Sequence, residues 1–186
     1  MTQCSDGFTK HNIDHLSASS INLWSNAPDV WVMQYLHGKR TPMGAAAWRG
    51  ICTEDAVAAI LLGTPATEAI DKAIAKFDGR YMIGDEATTR ERERIKPMAT
   101  LAVAELQAYG KPDFPEVEEG ENHQNKVEIT AVGEGWSIPV IGYLDLVFPD
   151  HGLVIDLKTT GRIPTQMSPE HQLQRAIYAK AKGNLA

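Results

Sequence analysis

Apolar positions recur at helical spacing through the first part of this chain and switch to the two-residue or continuous pattern of strands after Lys126. Ser17-Ala18-Ser19-Ser20 leads into Ile21-Asn22-Leu23-Trp24, a hydroxyl-capped helix start. Pro28 interrupts, and Val30 to Leu36 resumes with apolar and aromatic spacing suited to a helix. The Ala-rich stretch Gly44 to Leu62 predicts a long helix, and Thr67 to Phe77 and Thr88 to Tyr109 predict two more. The last of these carries Arg90-Glu91-Arg92-Glu93-Arg94, the alternation of an exposed face. Lys111 to Asn125 is rich in Pro, Glu and Gly and reads as a loop.

Three strands are expected next: Lys126 to Val132, Trp136 to Phe148 and Leu153 to Thr159. Gly133-Glu134-Gly135 and Pro149-Asp150-His151-Gly152 supply the turns between them. Pro139 cannot donate to a ladder, so the long middle strand must start on an edge or bend. Ser168-Pro169 opens a final helix as N-cap and first helical residue. Residues 1–15 read as a flexible tail and residues 16–186 as a single domain. Helices, an antiparallel meander and a closing helix together predict a mixed α/β (α+β) layer fold with a helical N-terminal half.

The second turn brings chemistry with it. A hairpin closed symmetrically between Asp150 and His151 sets Phe148 opposite Leu153 and Asp145 opposite Asp156. Side chains so paired have Cβ atoms only ~4.5–5.5 Å apart. Two carboxylates ~5 Å apart repel by roughly 3 kcal/mol at an effective dielectric near 20. A bound divalent cation is the simplest compensation. Lys158 lies two residues past Asp156 and projects from the same sheet face. Two carboxylates and an ammonium at one spot suit a metal-dependent hydrolase. Acid-x-Lys on a strand is also a common surface ion pair, worth ~0–1 kcal/mol. The apolar flanks Leu144, Leu146, Val147, Phe148 and Leu153-Val154-Ile155 favour the buried alternative.

Charge and cysteine content narrow the classes. The 186 residues suffice for one domain with a core, and 43% apolar with 23% charged residues is ordinary globular composition. A formal net charge of −6 is unfavourable for contacting phosphates, unless a local basic groove or a bound metal outweighs the average. Cys4 and Cys52 are too few for a disulfide framework or a Cys-cluster metal site. The longest apolar stretch, Ala56 to Gly63, is too short to span a bilayer, and Met1 to His15 has no signal-peptide core. A reducing, cytoplasmic setting is expected.

Two helical patterns accompany the hairpin. Gly50 and Glu54 share a face of the Ala-rich helix, where glycine admits another backbone and Glu54 sits among Ala56, Val57 and Ala58. Glu54 is either a solvated surface acid or a ligand. Gln174 and Tyr178 share one face of the last helix, and both donate and accept hydrogen bonds. Alone, that pair reads as a surface glutamine and a core-edge tyrosine.

Taken in order, Gly-x-x-x-acid, Gly142-Tyr143-Leu144-Asp145, Asp156-Leu157-Lys158 and Gln174-x-x-x-Tyr178 resemble the PD-(D/E)xK nuclease superfamily. Within it they resemble the RecB-like exonuclease branch, which includes phage-encoded exonucleases. Leu16-Ser17-Ala18-Ser19-Ser20-Ile21 looks like that branch's Ser-rich N-terminal motif, and the resemblance runs from Leu16 to about Ala181. It implies a restriction-endonuclease-like core, a mixed sheet flanked by helices. It implies metal binding by Asp145 and Asp156 with the backbone carbonyl of Leu157, Glu54 as a further ligand, and Lys158 as the catalytic lysine. Gln174 and Tyr178 would position DNA near the metals, with Arg162 and Arg175, and also Arg90, Arg92, Arg94 and Lys96, as candidate phosphate contacts.

The cofactor implied is Mg²⁺ or Mn²⁺, which take hard oxygen ligands, rather than zinc. The iron–sulfur cluster of some relatives needs four cysteines and is excluded. The implied partners are DNA, with linear ends, and a recombination protein. No membrane is implied, and the setting would be the cytoplasm of a bacterial host. Members of this branch usually continue with another strand after the Gln-x-x-x-Tyr helix. The resemblance therefore implies a C-terminal strand that a chain ending at Ala186 lacks.

Overall fold

The computed structural model describes residues 7–81, 84–115, 124–130, 137–162 and 164–181. In chain order its first elements are α1 (Gly7–Lys10), β1 (Leu16–Ser17), α2 (Ala18–Asn26), α3 (Pro28–Trp31), a π-helical turn (Val32–Leu36), α4 (Ala45–Leu61) and α5 (Ala66–Asp78). Then come α6 (Glu86–Glu93), α7 (Ile95–Leu106), β2 (Asn125–Ile129), β3 (Val140–Leu144), β4 (Leu146–Phe148), β5 (Leu153–Ile155) and α8 (Pro169–Ala181). Among the described residues this is a mixed α/β fold with two small sheets, consistent with a restriction-endonuclease-like core. The chain divides into two compact units. One comprises Met1–Thr41, Lys126–Leu144 and Pro164–Ala186, the other Pro42–Asn125 and Asp145–Ile163.

The second unit is built on α4. Cys52, Ala56 and Val57 of α4 meet Ala73 and Phe77 of α5 and Ile95, Ala99 and Val103 of α7 in one buried cluster. The alanines let the helix axes approach closely, while Phe77 and Ile95 fill the space between them. Leu146 and Phe148 of β4 belong to the same cluster, so the strand that follows Asp145 is anchored in the core. Cys52 is a fully buried free thiol, pushed up to about 11 by burial and then by the charge of Asp55.

The helix expected over Thr88 to Tyr109 is instead two helices, breaking at Arg94, with a 3₁₀ turn over Gln107–Tyr109. Pro97 explains the break. It lacks an N–H and its ring clashes with the preceding turn, so it is accommodated only in the first turn of a new helix, here α7. The β4–β5 hairpin has the expected register: Phe148 opposite Leu153, Val147 opposite Val154 and Leu146 opposite Ile155. Leu144, Leu146, Val147 and Phe148 are buried, whereas Leu153, Val154 and Ile155 are only partly so. The left-handed conformation of Gly152, at φ 58°, ends the turn.

In the first unit a three-stranded sheet has the order β1-β3-β2. β1 pairs with β3 in parallel, Leu16 opposite Val140 and Ser17 opposite Ile141. The expected meander is thereby corrected. The strand expected over Trp136 to Phe148 is two strands in different sheets, parted at Asp145, and an N-terminal strand joins the first sheet. The third strand ends at Ile155 rather than Thr159. The expected turn Gly133-Glu134-Gly135 lies outside the described residues.

Residues expected as tail also take part: α1 forms, and Ile13 is buried. Ser17 caps α2 as expected. Its hydroxyl accepts from the Ser20 amide while the Ser20 hydroxyl accepts from the Ser17 amide, a reciprocal capping box. α8 packs against α2 and β3, with the Asn22 side-chain amide donating to the Glu170 carbonyl at 3.3 Å.

Gly142 of β3 is required by α8. A Cβ at this position would overlap Tyr178 Cε1, well short of van der Waals contact distance, and stand 3.1 Å from Cδ1. The ring cannot swing away cheaply, because its hydroxyl donates to the Tyr143 carbonyl at 2.7 Å. Gly142→Ala is therefore expected to destabilise the protein by ~1–3 kcal/mol through overpacking, read as a lower urea midpoint. An unchanged midpoint would show that the ring is not held.

Candidate active site

β4 and β5 stop pairing at Leu146 and Ile155, and the site begins where the ladder ends. Asp145 occupies the bend between β3 and β4. Its Oδ2 accepts from the Leu157 amide at 2.8 Å, taking the place of the backbone carbonyl that a continued ladder would offer. Its Oδ1 accepts from the side-chain amide of Gln124. Asp156, across from Asp145, pairs with Lys158 at 2.6 Å, with side chains 24% and 39% exposed. The two acids thus relieve their repulsion separately, one on amide donors and one on an ammonium.

Glu54, on α4, shares this electrostatic environment. Its carboxyl is pushed up to about 8, first by burial, then by the charge of Asp145, with Lys158 opposing and Asp156 adding. The Asp145 carboxyl is pushed up to about 6 by burial and then by Asp156, against the Leu157 amide, Lys158 and Gln124. Three acids and one lysine are therefore coupled within the second unit, and the fold holds two of the acids in a state that resists ionisation.

Such a set fits a divalent cation by its chemistry. It offers hard oxygen donors, and a cation supplies the positive charge that would let Glu54 and Asp145 ionise. Among the described residues no three His, Cys, Asp or Glu side chains already stand arranged to hold an ion. Asp156 is paired with Lys158 and Asp145 with its two amides, so an ion would share or compete for these carboxylate oxygens.

The remaining expected residues sit as follows. Arg162 is exposed in the second unit, its carbonyl accepting from the Thr160 hydroxyl at 2.6 Å. Gln174, Arg175 and Tyr178 are on α8 of the first unit. Arg175 is exposed, while Tyr178 is buried with its hydroxyl accepting from Gln174 Nε2 at 2.7 Å. The core-edge reading of Tyr178 describes its packing well. Sequence reasoning missed Gln124, which falls in a stretch read as loop and carries no periodic signal.

A scan against family models matches residues 15–184 to the PD-(D/E)XK nuclease superfamily. The chain belongs to the PD-(D/E)XK nuclease superfamily. Neither a curated protein nor a solved structure matches it. Membership points to nuclease activity with DNA as the substrate, and nucleases of this superfamily generally use divalent metals such as Mg²⁺. Among the described residues no helix is long and apolar enough to cross a membrane.

Proposed function

We propose that this chain is a Mg²⁺- or Mn²⁺-dependent DNA exonuclease of the RecB-like branch, acting at DNA ends in phage or bacterial recombination and repair. The observation that carries this reading is the coupling of Glu54, Asp145 and Asp156 beside Lys158, at the end of a hairpin, in a chain of this superfamily. Asp145, Asp156, Glu54 and the Leu157 carbonyl would hold the ion. When bound, the ion supplies Lewis acidity toward the phosphodiester and lowers the pKa of a coordinated water.

The chain's own residues do the rest. Asp145 fixes the Leu157 backbone through its amide, which holds the Asp156–Lys158 segment against the bend. Lys158, which pairs with Asp156 at 2.6 Å, would orient the attacking water and offset charge growing on the phosphate. Arg162, Arg175, Gln174 and Tyr178 are assigned to DNA. Tyr178 contributes by fixing β3 and by presenting Gln174. A recombination protein as partner and a cytoplasmic setting belong to the same reading.

A second reading, a silent DNA-binding or assembly module, is favoured by one observation: an oxygen of Asp156 is already engaged by Lys158. Incubation with end-labelled linear DNA and closed circular DNA in Mg²⁺, Mn²⁺ or EDTA separates the two. Metal-dependent loss of the linear DNA alone is expected. Loss of both substrates would make the enzyme an endonuclease. Binding without cleavage of either would establish the silent module.

A further inference from the structure

Arg49 is the least accountable charge in the second unit. It lies on α4 and is only 4% exposed, on the face that also buries Cys52, Thr53 and Ala56. Burying a guanidinium is costly unless its hydrogen bonds are met. One terminal nitrogen donates to the Glu91 carboxylate. The other donates to the Thr159 carbonyl at 2.8 Å and to the Thr159 hydroxyl at 3.2 Å. Nε is buried and has no hydrogen-bond partner among the described residues. Glu91 in turn accepts from Arg94 at 2.7 Å, and the Arg94 guanidinium lies over Gly161, 3.4 Å from where a Cβ would stand.

These contacts converge on the stretch that leaves the site. Thr159 follows Lys158 directly, and β5 ends at Ile155, so among the described residues no strand pairing holds this stretch. The neighbouring Gly50 brings α4 close at the same point: an added Cβ would stand 3.2 Å from the Thr159 hydroxyl. Backbone that is no longer in a strand is thus fixed from one side by the Asp145 carboxylate on the Leu157 amide, and from the other by Arg49 on Thr159.

We propose that Arg49 is a positioning residue. Its guanidinium fork, balanced by Glu91, clamps Thr159 and so fixes where Lys158 stands relative to Asp156 and Glu54. This rests on the reading of Lys158 as the catalytic lysine. A planar fork reaches the carboxylate and the carbonyl at once, which a lysine ammonium does not, so Arg→Lys is not conservative here. Arg49 itself touches no carboxylate of the site, and metal binding should not depend on it.

The test compares wild type, Arg49→Lys and Arg49→Ala in metal-dependent DNA cleavage, well below their melting temperatures. Mn²⁺ binding is followed by calorimetry and amide exchange over residues 156–161 is measured. Both variants are expected to lose kcat by about 10- to 100-fold, the scale of a roughly 1 Å misplacement. KM for DNA and Mn²⁺ affinity should stay within about threefold, and exchange should accelerate at Thr159 and its neighbours. Added guanidinium ion, below denaturing concentration, should restore part of the kcat of Arg49→Ala and none of that of a Lys158→Ala control. A folded Arg49→Lys protein with wild-type kcat and unchanged exchange would overturn the inference. Should Arg49→Ala fail to fold, the exchange and kcat of Arg49→Lys still decide. Absence of cleavage by wild type would instead sink the nuclease reading, while the exchange measurement would still report on the clamp.

Discussion

Replacing Lys158 by Met should lower the rate of DNA cleavage by about 10³-fold, the scale for removing one group that stabilises developing charge, while Mn²⁺ still binds. Replacing Asp156 by Asn should lower both, because it removes a donor oxygen's charge as well as the partner of Lys158. Both side chains are partly exposed, so neither change opens a core cavity, and the melting temperature should stay within a few degrees. Single-turnover cleavage and calorimetric metal titration read the two effects separately. Equal loss of metal binding in both variants would mean that Lys158 supports the ion site rather than the chemistry.

The second large effect concerns pH. Burial and neighbouring carboxylates push Glu54 up to about 8 and Asp145 to about 6, above their ordinary 4.5 and 3.8. The folded chain therefore retains protons that the unfolded chain has lost, and the stability of the metal-free protein must fall as pH rises from about 4 to about 8. Glu54→Gln removes the larger share of this dependence. At pH 7, where wild-type Glu54 still carries its proton at a cost set by the unfolded chain, the variant should be more stable by on the order of 3 kcal/mol. At pH 4 the two proteins should differ little.

The same substitution should weaken Mn²⁺ binding by roughly 10- to 100-fold. Wild-type affinity should rise between pH 6 and pH 8, because ion binding releases the two retained protons. Urea denaturation at a series of pH values, with and without Mn²⁺, measures both effects. Equal stability of wild type and Glu54→Gln across that window would mean that Glu54 is solvated.

Much of the site was legible because it depends on local rules. The Pro149–Gly152 turn sets the hairpin register, whose last pair, Leu146 opposite Ile155, directly adjoins Asp145 and Asp156. The Gly50–Glu54 spacing identifies a helix face, and Thr159 does approach Gly50 closely. What was not legible depends on distant parts of the chain. Asp145 was expected inside a strand, yet its carboxylate ends the ladder by taking the Leu157 amide, and only the three-dimensional arrangement reveals this. The parallel pairing of Leu16-Ser17 with Val140-Ile141 joins segments far apart in sequence and too short to carry periodicity.

Tyr178 illustrates a different limit. Its spacing from Gln174 read as a core-edge tyrosine beside a surface glutamine, and the ring does pack on Gly142 with its hydroxyl bonded to the Tyr143 carbonyl, a long-range contact that spacing does not reveal. Arg49 was overlooked although a signal existed. At helical spacing it shares a face with Cys52, Thr53 and Ala56, and a charge on an apolar stripe is the sign of a buried partner.

The central claim is that Asp145, Asp156 and Lys158 hydrolyse DNA with a divalent ion. Its most direct test is to follow end-labelled linear duplex DNA with wild-type protein in Mn²⁺ and in EDTA, beside Asp145→Asn in Mn²⁺. Progressive release of label by wild type in Mn²⁺ alone, with none from the variant, is the predicted result. Equal cleavage by wild type and a folded Asp145→Asn protein, or cleavage that persists in EDTA, would contradict it.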